Sequence, residues 1–213
     1  MGAVAACAAI VIKVFETKTD RKIDDFVISK KGVLKHYKGK EELVRIPDSV
    51  LKVGRKALAG CTSLTHVEIP RSVSRIETAA FSGCIALNHV EIPSSVDKIG
   101  TAAFSGCIAL NRVKIPSSVI KIGSAAFSGC ISLKSVKIPN SVRKIGIAAF
   151  AGCTTLKNVI LSSSICNIGI SAFAGCISLE KVSVKKGLEG SEELEGMDQE
   201  IPTEDEVVGG ESL

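Results

Sequence analysis

A chain of 213 residues with 46% hydrophobic content can bury a sizeable core, but aromatic residues make up only 4% and Trp is absent, so Ile, Val, Leu, Ala and Cys must fill it. The formal charge of +5 divides unevenly: 27 basic and 12 acidic residues precede position 188, a surplus of +15, and ten acidic residues with no Lys or Arg follow it. The apolar run at the start of the chain is too short to span a bilayer, and the charge division leaves open contact with nucleic acid, anionic glycan or a membrane surface, or a tail that screens its own body.

The opening stretch, MGAVAACAAIVIKVF, has no charge ahead of its apolar run and does not read as a normal signal peptide, which favours an intracellular location. Gly2 invites myristoylation, but Ala6 stands where that motif wants Ser or Thr. Val4-Ala5-Ala6-Cys7 resembles a lipobox without its leader. The plain alternative is a frayed terminus or a capping strand, and residues 1–40 are expected to form an N-terminal lead-in and cap.

From residue 41 the chain repeats itself. Cys61, Cys84, Cys107, Cys130, Cys153 and Cys176 recur every 23 residues, each after a Gly, and Leu64, Leu87, Leu110, Leu133, Leu156 and Leu179 share the period. Phe81, Phe104, Phe127, Phe150 and Phe173 form a third column, with Leu58 substituting in the first unit. Such a period is the mark of a solenoid. Within a unit, Val90-Glu91-Ile92 alternates and then meets Pro93, which reads as a strand ended by a residue that cannot continue a ladder. Polar residues such as Ser94-Ser95 turn the chain, Val96 to Ile99 return to the core, Gly100 permits a further turn, and Ala102-Ala103-Phe104 is expected to form a short helical or 3₁₀ segment. Successive strands should pair in parallel at about 4.8 Å into one sheet.

The unit LxxVxIPxSVxxIGxxAFxGCxx resembles the BspA-type, or Treponema-type, leucine-rich repeats over roughly residues 41 to 184, and residues 26–39 are similar to the lead-in such proteins carry. The resemblance implies an α/β leucine-rich-repeat solenoid, residues 41–187, with a parallel β-sheet on one face and short helical or 3₁₀ segments on the other. It also implies binding of host or matrix proteins and a cell-surface or secreted setting, against the intracellular reading of the N-terminus. Departures gather at the ends: Leu58 for Phe, Glu77 for the Gly at Gly100, Gly123, Gly146 and Gly169, and Ser162 for the last Pro, as terminal repeats lack one neighbour. Lys181, Lys185 and Lys186 around the final strand would discourage open-edge pairing.

Eight Cys raise the possibilities of metal, disulfide or redox chemistry. One Cys per coil, with no CxxC pair, reads instead as a ladder of small buried residues, and parallel Cβ vectors make poor disulfide geometry. Cys166 lies outside the column and is the better candidate for a reactive thiol. On the strands, His66 with Glu68 and His89 with Glu91 flank inward Val67 and Val90 and should face outward. Metal binding by this group is weighed against repeat duplication. Arg112, Lys114, Lys137 and Asn158 continue the face, so its charge changes from acidic to basic along the sheet, as a partner-discriminating surface would or as solvated strand residues would. A second row, Lys52, Arg75, Lys98, Lys121 and Lys144, lines one flank and could follow a polyanion, although stacking aromatics are missing.

Residues 188–213 read as an acidic disordered tail. The expected function is a non-enzymatic, monomeric protein-interaction scaffold without cofactor or metal, with no catalytic residues, that binds a protein partner through His66, Glu68, His89, Glu91, Arg112, Lys114, Lys137 and Asn158. The alternative is polyanion or glycan binding through the Lys52 to Lys144 row, possibly as a surface adhesin.

Overall fold

The structure, a computed structural model, describes residues 23–185. The readings made for the opening stretch and for the acidic tail lie outside these residues. A 3₁₀ turn (Ile23–Asp25) leads into an antiparallel hairpin of β1 (Phe26–Ile28) and β2 (Val33–Tyr37). Two strands per coil follow: β3 (Leu43–Arg45) and β4 (Lys52–Val53), β5 (His66–Glu68) and β6 (Arg75–Ile76), β7 (His89–Glu91) and β8 (Lys98–Ile99). Then come β9 (Arg112–Lys114) and β10 (Lys121–Ile122), β11 (Ser135–Lys137) and β12 (Lys144–Ile145), β13 (Asn158–Ser162) and β14 (Asn167–Ile168), and finally β15 (Lys181–Lys185).

The odd-numbered strands from β3 are the alternating segments read from sequence. Their central Val residues, from Val44 to Val159, are buried and their flanking residues mostly face solvent. They form two parallel pieces rather than one sheet: β3-β5-β7-β9 and β11-β13-β15. A second sheet was not expected. The two-residue strands that carry the flank cations stack in parallel as β4-β6-β8-β10-β12-β14, and the β1-β2 hairpin extends the same sheet at its N-terminal end.

The expected helical or 3₁₀ face is instead a ladder of turns, and the only helix among the described residues is Ile23–Asp25. The backbone shows why a helix does not form. Ala79, Ala102, Ala125 and Ala148 sit at φ between 51 and 55°, in the left-handed region, which interrupts a helix at its first turn. Alternate amides then divide their bonds. Ala103 N donates to Gly100 O and Ser105 N to Ala102 O within the coil, while Ala102, Phe104 and Gly106 donate to Ser124, Ala126 and Ser128 of the next coil at 2.7–2.8 Å. A structure that sends every second N–H to its neighbour cannot be helical.

Stacking then fills the interior column by column. Phe81, Phe104, Phe127, Phe150 and Phe173 lie ring on ring at 5.1–5.4 Å with planes within 8° of parallel. The Ser of the repeated PxSV segment joins one coil to the last, since Ser72, Ser95, Ser118 and Ser141 each donate from Oγ to a Val carbonyl of the preceding coil at 2.6–2.8 Å. The turn expected at the Gly100 and Gly123 column is present, with Ala126 N donating to Gly123 O, but Gly123 needs no positive φ to make it. A Cβ there would stand 2.5 Å from the carbonyl carbon of Gly100, so the column is Gly because two backbones touch.

Two outcomes follow for stability. Gly123→Ala should lower it by about 3 kcal/mol, the upper range for forced overpacking, read from the urea midpoint. Removal of 23 residues in register should preserve cooperative unfolding, whereas removal of ten should abolish it, because only the first keeps the columns aligned. Equal loss in both deletions would contradict the stacked-coil account.

Candidate binding faces

The strand register places the proposed face residues in two rows. His66, His89, Arg112, Ser135, Asn158 and Lys181 form one, and Glu68, Glu91, Lys114, Lys137, Ile160 and Ser183 the other; each row pairs residue to residue across neighbouring strands within the two sheet pieces. Each row starts one coil earlier than was read from sequence, at Leu43 and Arg45 of β3. The signal was present, since both lie 23 residues before His66 and Glu68.

A groove of about 820 Å³ runs across the first coils and is lined by His66, Glu68, His89, Glu91 and Lys114 together with Arg45 and Arg71. Arg112, Lys137 and Asn158 are not part of it and stand exposed on β9, β11 and β13. The imidazoles of His66 and His89 face one another with ring centroids 5.8 Å apart. Arg45 Nε lies 3.5 Å from Glu68 Oε2, so the acidic end expected from sequence is partly neutralised from the N-terminal side. Along the row, the charges run plus, minus, minus, plus, plus over Arg45, Glu68, Glu91, Lys114 and Lys137. Among the described residues no group of three or more His, Cys, Asp or Glu side chains is placed to hold a metal ion.

The flank row is held in equally strict register: Lys52, Arg75, Lys98, Lys121 and Lys144 pair in sequence across β4, β6, β8, β10 and β12. Neighbouring strands stand about 4.8 Å apart, and at that spacing two cations in water repel by up to about 1 kcal/mol. Arg75 is relieved by Asp97, Nε to Oδ1 3.5 Å. Lys98, Lys121 and Lys144 line a smaller groove of about 370 Å³ with Thr101, Ser124, Ile147 and Ile170.

The Cys column is chemically quiet. Cys84, Cys107, Cys130, Cys153 and Cys176 are free, buried thiols, and each Sγ donates to a carbonyl one coil back at 3.1–3.3 Å: Leu58, Phe81, Phe104, Phe127 and Phe150. Burial pushes the Cys107 and Cys153 thiols up to about 12 and raises Cys130 and Cys176 as well, while Cys84 is raised first by its hydrogen bond with Cys61 and then by burial. Cys61, at the open end of the column, is only half-buried, and Cys166 is exposed.

A stack of 23-residue coils with two parallel ladders defines this chain as a leucine-rich-repeat β-solenoid. Its sequence matches the family described as "BspA type Leucine rich repeat region" in six copies over residues 36–130 and 75–193, and the chain belongs to that family. A leucine-rich-repeat protein of Treponema pallidum is similar to it at 30% identity and a TM-score of 0.65, over 74% of this chain and 89% of that one. A leucine-rich-repeat protein of Eubacterium ventriosum shares the fold at 21% identity and a TM-score of 0.60, over 77% of this chain and 51% of that one. A leucine rich cell surface protein of Faecalibacterium prausnitzii matches at 25% identity with a TM-score of 0.43, over 67% and 59% of the two chains. No curated protein matches the sequence. No helix among the described residues is long and apolar enough to cross a membrane.

The raised thiols set a pH dependence. An unfolded thiol loses its proton near 9.0, whereas Cys107 and Cys153 keep theirs to about 12 in the fold. Between those values the unfolded state binds fewer protons, so stability falls as pH rises through this window and is independent of these groups below it. Thermal unfolding should therefore move to lower temperature from pH 9 upward, and Cys107→Ala with Cys153→Ala should flatten that slope. At pH 8, a thiol reagent should modify Cys166 and Cys61 in the native protein and reach the buried column only after unfolding; rapid reaction of the whole column would overturn the packing assignment.

Proposed function

We propose that this chain is a non-enzymatic scaffold that holds a protein partner against the outward face of its β3 to β15 strands. The observation that carries this reading is the groove that collects His66, Glu68, His89, Glu91 and Lys114 on rigid strands, followed by Arg112, Lys137 and Asn158 on the next rungs. Strand residues with buried neighbours on both sides hold their side-chain directions at little entropic cost, so a partner meets a preset charge order rather than a mobile loop. That order, with negative charge at Glu68 and Glu91 and positive charge at Lys114 and Lys137, selects a partner whose own charges run in the opposite sense. It is a surface for orientation and specificity.

The flank row supports a second reading, in which Lys52, Arg75, Lys98, Lys121 and Lys144 bind a polyanion or glycan. What supports it is the unbroken pairing of five cations across five strands, whose mutual repulsion a linear polyanion would relieve.

Two variants separate the readings. Arg112→Ser, Lys114→Ser and Lys137→Ser together should leave folding intact, because exposed strand substitutions cost about 0.5 kcal/mol or less, while capture of the protein partner falls. Lys98→Ser, Lys121→Ser and Lys144→Ser should reduce heparin retention and its salt dependence without altering partner capture. Partner capture that survives the first set of changes would exclude the basic half of the face as the contact surface.

A further inference from the structure

The two ends of the stack are finished differently. At the N-terminal end the β1-β2 hairpin closes the flank sheet and buries Leu34 and Tyr37. At the other end the same columns that are sealed elsewhere stand open. Val159 and Ile145 are fully buried, but one coil later Val182 is 52% exposed and Ile168 46%. Val184, in the column of buried Ile138 and Leu161, is 61% exposed. Ile170, beside the Lys144 groove, is 79% exposed. This apolar end is fringed by cations: Lys181 and Lys185 bracket Val182 and Val184 on β15 and are exposed, and Lys144 lies on the strand next to Ile168.

We infer that the occupant of this end is the chain's own acidic segment, residues 188–201, which caps the last coil in place of a further repeat. Three observations point to it. The chain leaves β15 at Lys185, directly at the open end, and the next 16 residues can span up to roughly 50 Å, more than enough to cross the end of one coil. Leu188 falls 23 residues after Ile165, in the column of Val119 and Val142, so the repeat continues by one core position before it breaks down. Beyond that point Leu194, Met197 and Ile201 are interleaved with Glu192, Glu193, Glu195, Asp198 and Glu200, which offers apolar groups to Val182, Val184 and Ile168 and carboxylates to Lys181 and Lys185. A second copy of the chain is the poorer occupant. A two-fold contact through this end would bring Lys181 and Lys185 against the same cations of the mate.

The contact is therefore amphipathic, and its two halves are separable. Apolar burial survives salt, whereas attraction between exposed charges is screened within about 8 Å at physiological ionic strength. The test is zero-length carbodiimide cross-linking of the full chain, with the joined residues mapped by mass spectrometry. The expected result is intramolecular links from Lys181 and Lys185 to acids of residues 189–200, which persist at high salt and fall several-fold in Leu194→Ser/Met197→Ser/Ile201→Ser. These substitutions lie beyond the stacked coils and leave the body's core composition intact. Links spread evenly over Lys52 to Lys185, or indifferent to the triple substitution, would show that the segment acts only as a diffuse counter-charge. Links found only in covalent dimers would assign the end to a second copy. Either result overturns the inference.

Discussion

The hydrogen bond from one coil to a carbonyl of the next or the previous coil is the constraint on which this structure depends. A 23-residue coil has too little interior to satisfy its own polar groups, and a buried donor or acceptor left without a partner costs about 1–3 kcal/mol. Here the deficit is met side chain by side chain and amide by amide. Ser95 Oγ reaches Val73 O, Cys107 Sγ reaches Phe81 O, and Phe104 N reaches Ala126 O, all in different coils. Phe81 O accepts both the Cys84 amide of its own coil and the Cys107 thiol of the next, which ties the turn within a coil to the joint between coils. The requirement for Cys in this column is thereby chemical as well as volumetric. An Ala would fit the space and leave the second bond to Phe81 O unmade.

Because the interior is committed in this way, variation is confined to the positions that point outward. Two of those positions are repeated in register along two different ladders, and each becomes a line of charges at strand spacing. One line mixes signs over a groove, and the other is a run of cations beside a smaller one. The fold thus displays two chemically different stripes on one rigid body, so the two proposed modes of contact would draw on different side chains. Asp97 and Arg45 show how single substitutions within a column retune a stripe locally without disturbing the rung beneath it.

Much of this was legible in the sequence because the period is strict. The columns of Leu, Phe and Cys, the inward Val of each strand and the outward direction of His66 to Lys137 all follow from a 23-residue repeat and a two-residue alternation. What escaped was set by contacts between coils rather than by local preference. Lys98-Ile99 is too short to announce itself as a strand, and it becomes one only through its pairing with Arg75-Ile76 and Lys121-Ile122. Ala102-Ala103-Phe104 has helical composition, yet Ala102 is drawn to positive φ because alternate amides are claimed by the following coil. Gly123 does open a turn, but the reason it must be Gly is a point of backbone contact with the preceding coil. The groove residues Leu43 and Arg45 carry neither the His nor the Glu of the two following units, although Val44, Ile46 and Pro47 and the period itself include them.

The Ser and Cys bonds between coils also share a direction. Every hydroxyl of the Ser column and every thiol of the buried Cys column donates backward, to a carbonyl that precedes it in the chain by 22 or 26 residues. A finished coil therefore presents carbonyl acceptors to the Ser and Cys side chains of the coil after it, while its turn amides, such as Phe104 N to Ala126 O, donate forward to that same coil. A ribosome delivers the chain in that same order, so each newly emerged repeat can be closed onto a template already in place, and the molecule can be assembled as it is made, one rung behind the exit of the growing chain.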